Sequence, residues 1–154
     1  ELMLAGSFSH NDLTSIGRAG MPKGGEHGLE QQMSGMYDTA HGAGLSVMMP
    51  AMLNYIIKHG NEAQVARVAQ FATDVFEVDA DYADAKGVAQ EGVRRFKAWL
   101  ASLGMPLTIK ELGIDPKEIP NILDATVPTE DSAINGFMKM DRAAVKEIYE
   151  SAAE

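Results

Sequence analysis

The sequence contains no cysteine. This absence excludes disulfide bonds, thiolate-ligated metals and cysteine nucleophiles. It is compatible with a reducing cytoplasm, which is where we expect the protein to work. No basic segment precedes an apolar stretch, so we expect no signal peptide. Because the chain begins with Glu1 rather than Met, we expect it to be a piece of a longer protein.

Positive charge and long apolar runs are also scarce. The chain has 13 Lys and Arg against 22 Asp and Glu, for a formal net charge of -9. Binding to phosphates needs clustered cations, so we expect neither nucleic-acid binding nor attraction to an anionic membrane. The most apolar stretch, residues 45–57, has about 13 residues, whereas a bilayer span needs ~20. It therefore predicts a buried helix.

Helical periodicity runs along nearly the whole chain. The 154 residues, 45% of them hydrophobic, suit one domain with its own core. No segment alternates with period two for long enough to predict a strand, so the predicted fold is an all-α helical bundle. Helical pieces are expected within residues 2–20, then helices over residues 26–37, 41–58, 62–77, 85–103 and 141–153, with loops at 21–25 and 126–135.

The helix over residues 41–58 is apolar on most of its faces. Such a pattern is typical of a helix that is buried between others. Gly42, Ala43 and Gly44 at its start would let another backbone or a ligand come close.

Three helix starts have recognisable capping residues. Either Asp38 or Thr39 is expected to cap the helix that begins near residue 41, and Asn61 the helix after it. Asp115 followed by Pro116 is typical of a cap with proline in the first helical position.

By elimination, the candidate chemistry falls on the four histidines. The sequence has no Gly-x-Gly-x-x-Gly, no phosphate-loop lysine, no nucleophile elbow and no His-Glu-x-x-His. His27 and His41 lie 14 residues apart, and a tight turn between their helices would place both imidazoles on one side of the junction. Neutral imidazole suits Zn, Fe, Ni or Co. A divalent metal normally takes three or four protein ligands, so any site needs others from elsewhere.

Each histidine also has a structural interpretation. For His27 and His41, spacing alone favours the structural interpretation over a role as metal ligands. In that interpretation His41 is a polar residue whose hydrogen bonds are satisfied at a buried helix start. His59 stands in the last turn of its helix, where a cation suits the helix dipole. His10, with Asn11 and Asp12, forms either an ordinary polar turn or a cluster that faces the metal ligands or the substrate.

A two-histidine motif is the most specific feature of the sequence. The segment HGLEQQMSGMYDTAHGAGL, residues 27–45, followed by Met49-Pro50, strongly resembles the iron-containing (group III) alcohol dehydrogenases. The string Ser-Gly-Met-Tyr-Asp before the second histidine is most similar to the butanol dehydrogenase branch. Shorter similarities to that branch occur at residues 11–18, 103–106 and 143–149, so the resemblance covers essentially the whole chain.

The resemblance implies a fold and a place within a longer protein. Members of the family combine an N-terminal dinucleotide-binding α/β domain with a C-terminal all-helical domain that binds the metal. Residues 1–154 would be part of the helical domain of this dehydroquinate synthase-like fold. The dinucleotide-binding domain would be absent from this chain.

The resemblance also implies an activity and its ligands. The full-length protein would be a metal-dependent, NAD(P)(H)-linked dehydrogenase that interconverts small alcohols and aldehydes or ketones, as a homo-oligomer such as a dimer. The metal is usually held by one Asp and three His, and His27 and His41 match the last two. Iron is the expected metal, with zinc or nickel as alternatives. This chain alone, with two of the four ligands, is predicted to be inactive.

One position departs from many members of the family. Many relatives have a further histidine next to the nicotinamide, where this sequence has Gln31, which cannot titrate. Glu30 and Gln31 are therefore candidates to support a ligand or face the cofactor from an exposed helix turn. Two alternatives remain: a helical binding or structural module that has lost catalysis, and a zinc-dependent relative that acts on polyols.

Overall fold

The computed structural model describes residues 1–11, 13, 25–81 and 83–153, except for the side chain of His10. Within these ranges the chain is largely helical, which confirms the all-α prediction. The predicted loop at 21–25 and the end of the first helical segment fall mostly outside them. The helices are α1 (Leu2–His10), α2 (Glu26–Tyr37), α3 (His41–His59), α4 (Glu62–Phe76), α5 (Ala85–Ser102), α6 (Ile119–Thr126) and α7 (Arg142–Ser151), with a 3-10 turn at Pro116–Glu118.

The central element is α3. It packs against α2, α4, α5 and α7, and Val47, Met48 and Ile56 on it are completely or almost completely buried. This confirms the prediction of a helix enclosed by others. Among the described residues, no helix combines the length and apolar character needed to cross a membrane.

The pair formed by α4 and α5 packs through small residues. Gly92 of α5 lies so close to Ala72 of α4 that a Cβ on Gly92 would overlap the alanine side chain. The start of α4 has a complete capping box: the Asn61 side chain accepts from the Gln64 N–H, and the Gln64 side chain accepts from the Asn61 N–H, both at 2.9 Å. The prediction of an Asn61 cap is therefore confirmed.

The Asp115 prediction is also confirmed. The side chain of Asp115 accepts a hydrogen bond of 2.9 Å from the Lys117 N–H, and Pro116 is the first residue of the 3-10 turn that leads into α6. Proline fits this position because the first N–H groups of a helical segment have no partner within it.

A short hairpin departs from the prediction that the chain has no strand. β1 (Ala133–Asn135) pairs antiparallel with β2 (Lys139–Asp141), within and just after the predicted loop. Each strand has three residues, which is too short for alternation to be visible in the sequence. Ile134 of β1 packs directly onto Gly28 in the first turn of α2. The hairpin therefore helps to position the start of α2.

A buried tyrosine connects the last helix to α2. Tyr149 of α7 has no solvent exposure, and its hydroxyl donates a hydrogen bond of 2.7 Å to the Leu29 carbonyl. The same hydroxyl lies 2.8 Å from the Thr126 hydroxyl at the end of α6. These contacts join α2, α6 and α7 at Leu29, the residue before Glu30.

The apolar side chains of α1 lie at the surface. Leu2 and Met3 are 88% and 89% exposed, and Leu4 and Phe8 are also exposed. Apolar spacing thus predicted the helix in this segment, but these side chains do not enter the core formed by the other helices.

Candidate metal centre

Two histidines from different helices meet at the junction of α2 and α3. His27 lies in the first turn of α2, and His41 is the first residue of α3. Their ring centroids are 5.2 Å apart, with the ring planes tilted by 53°. The structure thus brings together the pair that the sequence singled out, and both side chains are more than half exposed.

Each imidazole has a carboxylate at its Nδ1 atom. His27 Nδ1 lies 3.0 Å from Glu26 Oε1, and His41 Nδ1 is hydrogen-bonded to Glu30 Oε2. Among the described residues neither Nε2 atom has a protein partner. A histidine that ligates a metal through one nitrogen commonly donates its other N–H to a carboxylate, and both rings have this arrangement.

Glu30 is completely buried, contrary to the expectation of an exposed turn. Its second oxygen, Oε1, accepts a hydrogen bond from the Ser34 hydroxyl one turn later in α2. The small residue opposite is Gly44 of α3, where a Cβ would overlap the Glu30 carboxylate. The close approach predicted for Gly44 is therefore made by the Glu30 side chain rather than by a backbone or a ligand.

The neighbouring candidates are more open to solvent. Gln31 is exposed on α2, immediately after Glu30. Gly42 is exposed as well, and a Cβ there would meet no atom of the described residues within 4 Å. Open surface beside the histidine pair leaves room for a ligand to approach.

The expected cap of α3 is wrong. Asp38 instead ends α2 in the left-handed conformation, with φ 52° and ψ 37°, and Ala40 occupies the N-cap position without a side-chain hydrogen bond. The Thr39 hydroxyl is buried and has no hydrogen-bond partner among the described residues. Both candidates lie too early in the chain because the connection uses Asp38 to stop the preceding helix.

His59 does not join this pair. His59 ends α3, where its ring lies against that of Tyr55 with centroids 4.4 Å apart and the planes tilted by 36°. Its Nε2 lies 2.9 Å from Glu147 Oε1. Hydrogen bonds from Lys58 and His59 lower the pKa of Glu147. This placement agrees with the structural interpretation of His59. The predicted cluster around His10 lies outside the described residues, because neither its side chain nor Asp12 is described.

The donor set fits half of a four-ligand metal centre. Two imidazoles whose Nε2 atoms have no partner within the described ranges are suitable donors for iron, zinc or nickel. In the described ranges, no group of three or more His, Cys, Asp or Glu side chains could hold a metal ion by itself. The remaining ligands would have to come from residues outside these ranges or outside this chain.

Comparison with known proteins gives the family. The model of the Fe-containing alcohol dehydrogenase family, C-terminal, matches residues 11–153. The chain belongs to this family. The resemblance inferred from the two-histidine motif is thereby confirmed, together with the fold class.

Curated relatives of this chain include two butanol dehydrogenases that are longer than the chain. NADH-dependent butanol dehydrogenase A of Clostridium acetobutylicum is 26% identical over 148 residues, which are 96% of this chain and 36% of the relative. A probable NADH-dependent butanol dehydrogenase of Bacillus subtilis is 25% identical over 142 residues, 92% of this chain and 35% of that protein. The chain thus spans about a third of the length of these relatives.

Two solved structures have a similar helical arrangement. NADH-dependent butanol dehydrogenase A from Thermotoga maritima superposes with a TM-score of 0.69 and 30% identity, covering 84% of this chain and 32% of that one. An aldehyde reductase from E. coli gives a TM-score of 0.67 at 19% identity, with 83% and 32% coverage, and supports the fold alone.

Proposed function

We propose that this chain is the metal-binding helical portion of an NAD(P)(H)-linked dehydrogenase that interconverts small alcohols and aldehydes. The observation that supports the proposal most directly is the pairing of His27 and His41, whose Nε2 atoms have no partner in the part of the chain that the structure describes. Family membership and the names of the relatives, NADH-dependent butanol dehydrogenases, support the same reaction class. We expect the full-length protein to be a cytoplasmic homo-oligomer.

His27 and His41 would hold the metal through Nε2, with Nδ1 of each ring directed at a carboxylate. A divalent metal held there would supply Lewis-acid chemistry toward the substrate oxygen, and a nicotinamide cofactor would supply or accept the hydride. The histidines are therefore ligands and not proton carriers. Glu26 and Glu30 hold the two rings in place.

Gln31 is proposed to face the cofactor side of the centre. Its amide can donate and accept hydrogen bonds but does not titrate, so it cannot move a proton between substrate and solvent. If a proton is transferred at this position in relatives with histidine, this protein must use another group. A Gln31→His variant would then acquire a new ionisation in its pH–rate profile near neutral pH.

The decisive experiment uses the full-length protein that contains this chain. It is purified without chelator, and its metal is identified and counted by mass spectrometry. About one divalent metal per chain is expected, because a single four-ligand centre is proposed. The same preparation is assayed for aldehyde reduction with NADH and NADPH.

Two histidine variants of the same helix make a matched comparison. His41→Ala is expected to lose both metal and activity. His59→Ala removes an imidazole at the other end of α3, and it should retain both. Full metal content in His41→Ala would contradict the assignment. A folded full-length protein without metal would instead favour a helical binding module without catalysis.

A further inference from the structure

The first observation is that Glu30 is a fully buried carboxylate at the histidine pair. Burying a charged group is costly unless it is paired and hydrogen-bonded. Both oxygens of Glu30 have such partners: His41 Nδ1 at Oε2 and the Ser34 hydroxyl at Oε1. One oxygen of Glu30 therefore contacts the His41 imidazole, while the hydrogen bond from Ser34 to the other oxygen orients the carboxylate.

The second observation is that the surrounding residues fix the position of this carboxylate. Gly44 leaves the space that the carboxylate occupies on α3, since a Cβ there would overlap it. Leu29, the residue before Glu30, is connected to α7 because its carbonyl accepts a hydrogen bond from Tyr149. The position of Glu30 is thus fixed in three ways. The backbone before it is bonded to α7, Ser34 of α2 donates to its carboxylate, and Gly44 of α3 packs against it.

The third observation concerns the orientation of the His41 ring. The side chain is 55% exposed, so packing alone does not fix its rotation. A carboxylate oxygen accepts hydrogen bonds, so the contact with Glu30 places the ring hydrogen on Nδ1. Nε2 then has its lone pair available and turned away from Glu30, as a metal ligand requires.

We propose that Glu30 is a positioning residue for the metal centre, acting through His41 by fixing its tautomer and ring orientation. This inference rests on the proposed function, because it takes His41 as a ligand. It goes further by assigning metal affinity to a residue that does not itself ligate the metal.

The test measures binding of Co²⁺ to the metal-free full-length protein by titration and by visible absorption, independently of turnover. Glu30→Ala is expected to weaken Co²⁺ binding by about 10- to 100-fold, the usual effect of losing a partner behind a ligand. Glu30→Gln can still accept from His41 through its amide oxygen, so it should recover much of the affinity. Val47→Ala, a core variant of α3, should bind Co²⁺ like the wild type.

Gly44→Ala provides a second variant that leaves every ligand and Glu30 itself unchanged. Its added methyl group displaces the carboxylate, so weaker Co²⁺ binding and an altered spectrum are expected. If Glu30→Ala does not fold, as judged by circular dichroism, Gly44→Ala decides the question.

The outcomes separate the two proposals. Wild-type affinity and spectrum in both Glu30→Ala and Gly44→Ala would overturn the role of Glu30 while leaving His41 as a ligand. Failure of the wild type to bind Co²⁺, or unchanged binding in His41→Ala, would overturn the proposed function and this inference with it.

Discussion

Tyr149→Phe tests whether the hydroxyl that joins α7 to α2 stabilises the fold. The substitution keeps the buried ring and removes only the oxygen that donates to the Leu29 carbonyl and contacts Thr126. Phenylalanine has nearly the same shape, so no large cavity is expected. The change therefore isolates the hydrogen bonds from the apolar packing.

The loss at neutral pH should be modest. A typical intramolecular hydrogen bond contributes about 0.5–1.5 kcal/mol net. Thr126 retains its own hydrogen bond of 2.8 Å to the Ile122 carbonyl, so it is not left without a partner. We expect the free energy of unfolding to fall by roughly 1–1.5 kcal/mol, the upper part of that range, because the site is fully buried.

The same hydroxyl predicts a change at alkaline pH. Burial first, and the nearby charge of Glu30 as a smaller contribution, raise the pKa of Tyr149, although the hydrogen bond with Thr126 lowers it. Above pH ~10 the unfolded chain ionises at this tyrosine while the folded chain does not, so stability falls by about 1.4 kcal/mol per pH unit. The phenylalanine variant lacks this loss.

The two stability curves should therefore meet near pH ~11, one unit above the ordinary tyrosine pKa. The assay is urea unfolding of both proteins from pH 7 to 11.5. The other three tyrosines of the chain remain in both proteins and cancel in the difference. Thr126→Val keeps the Tyr149 phenol and should retain the alkaline loss. Parallel curves for wild type and Tyr149→Phe over this range would refute the reasoning.

Three further variants test other parts of the fold by urea unfolding. Gly92→Ala should destabilise by up to about 2 kcal/mol, because overlap with Ala72 outweighs the gain of ~1 kcal/mol in helix propensity, and a stabilised variant would contradict this. Asn61→Ala should cost about 0.5–2 kcal/mol by removing the capping box, and no loss would show that the cap is dispensable. Hydrogen bonds from Arg94, and then from Arg95, lower the pKa of Glu91 to about 2. Glu91→Gln should therefore lessen the loss of stability between pH 4.5 and 2, and an acid dependence identical to that of the wild type would contradict this.

Local chemistry in the sequence was enough to predict much of this protein. Helical periodicity predicted the buried α3, and the hydrogen-bonding capacity of Asn61 and Asp115 predicted two helix starts. The resemblance of residues 27–45, which contain His27 and His41, to a family motif indicated the family, which the comparison confirmed. These features depend on neighbours a few residues away, so they are visible without coordinates.

Tertiary structure decided which groups the histidine pair contacts. Periodicity placed Glu30 on an exposed turn, but it lies buried because Gly44, 14 positions later, leaves space for its carboxylate. Tyr149 reaches Leu29 across 120 positions of sequence, and no local pattern specifies that bond. Burial and long-range hydrogen bonds depend on how helices pack against one another, so the orientation of His41 follows from the assembled fold and not from the motif alone.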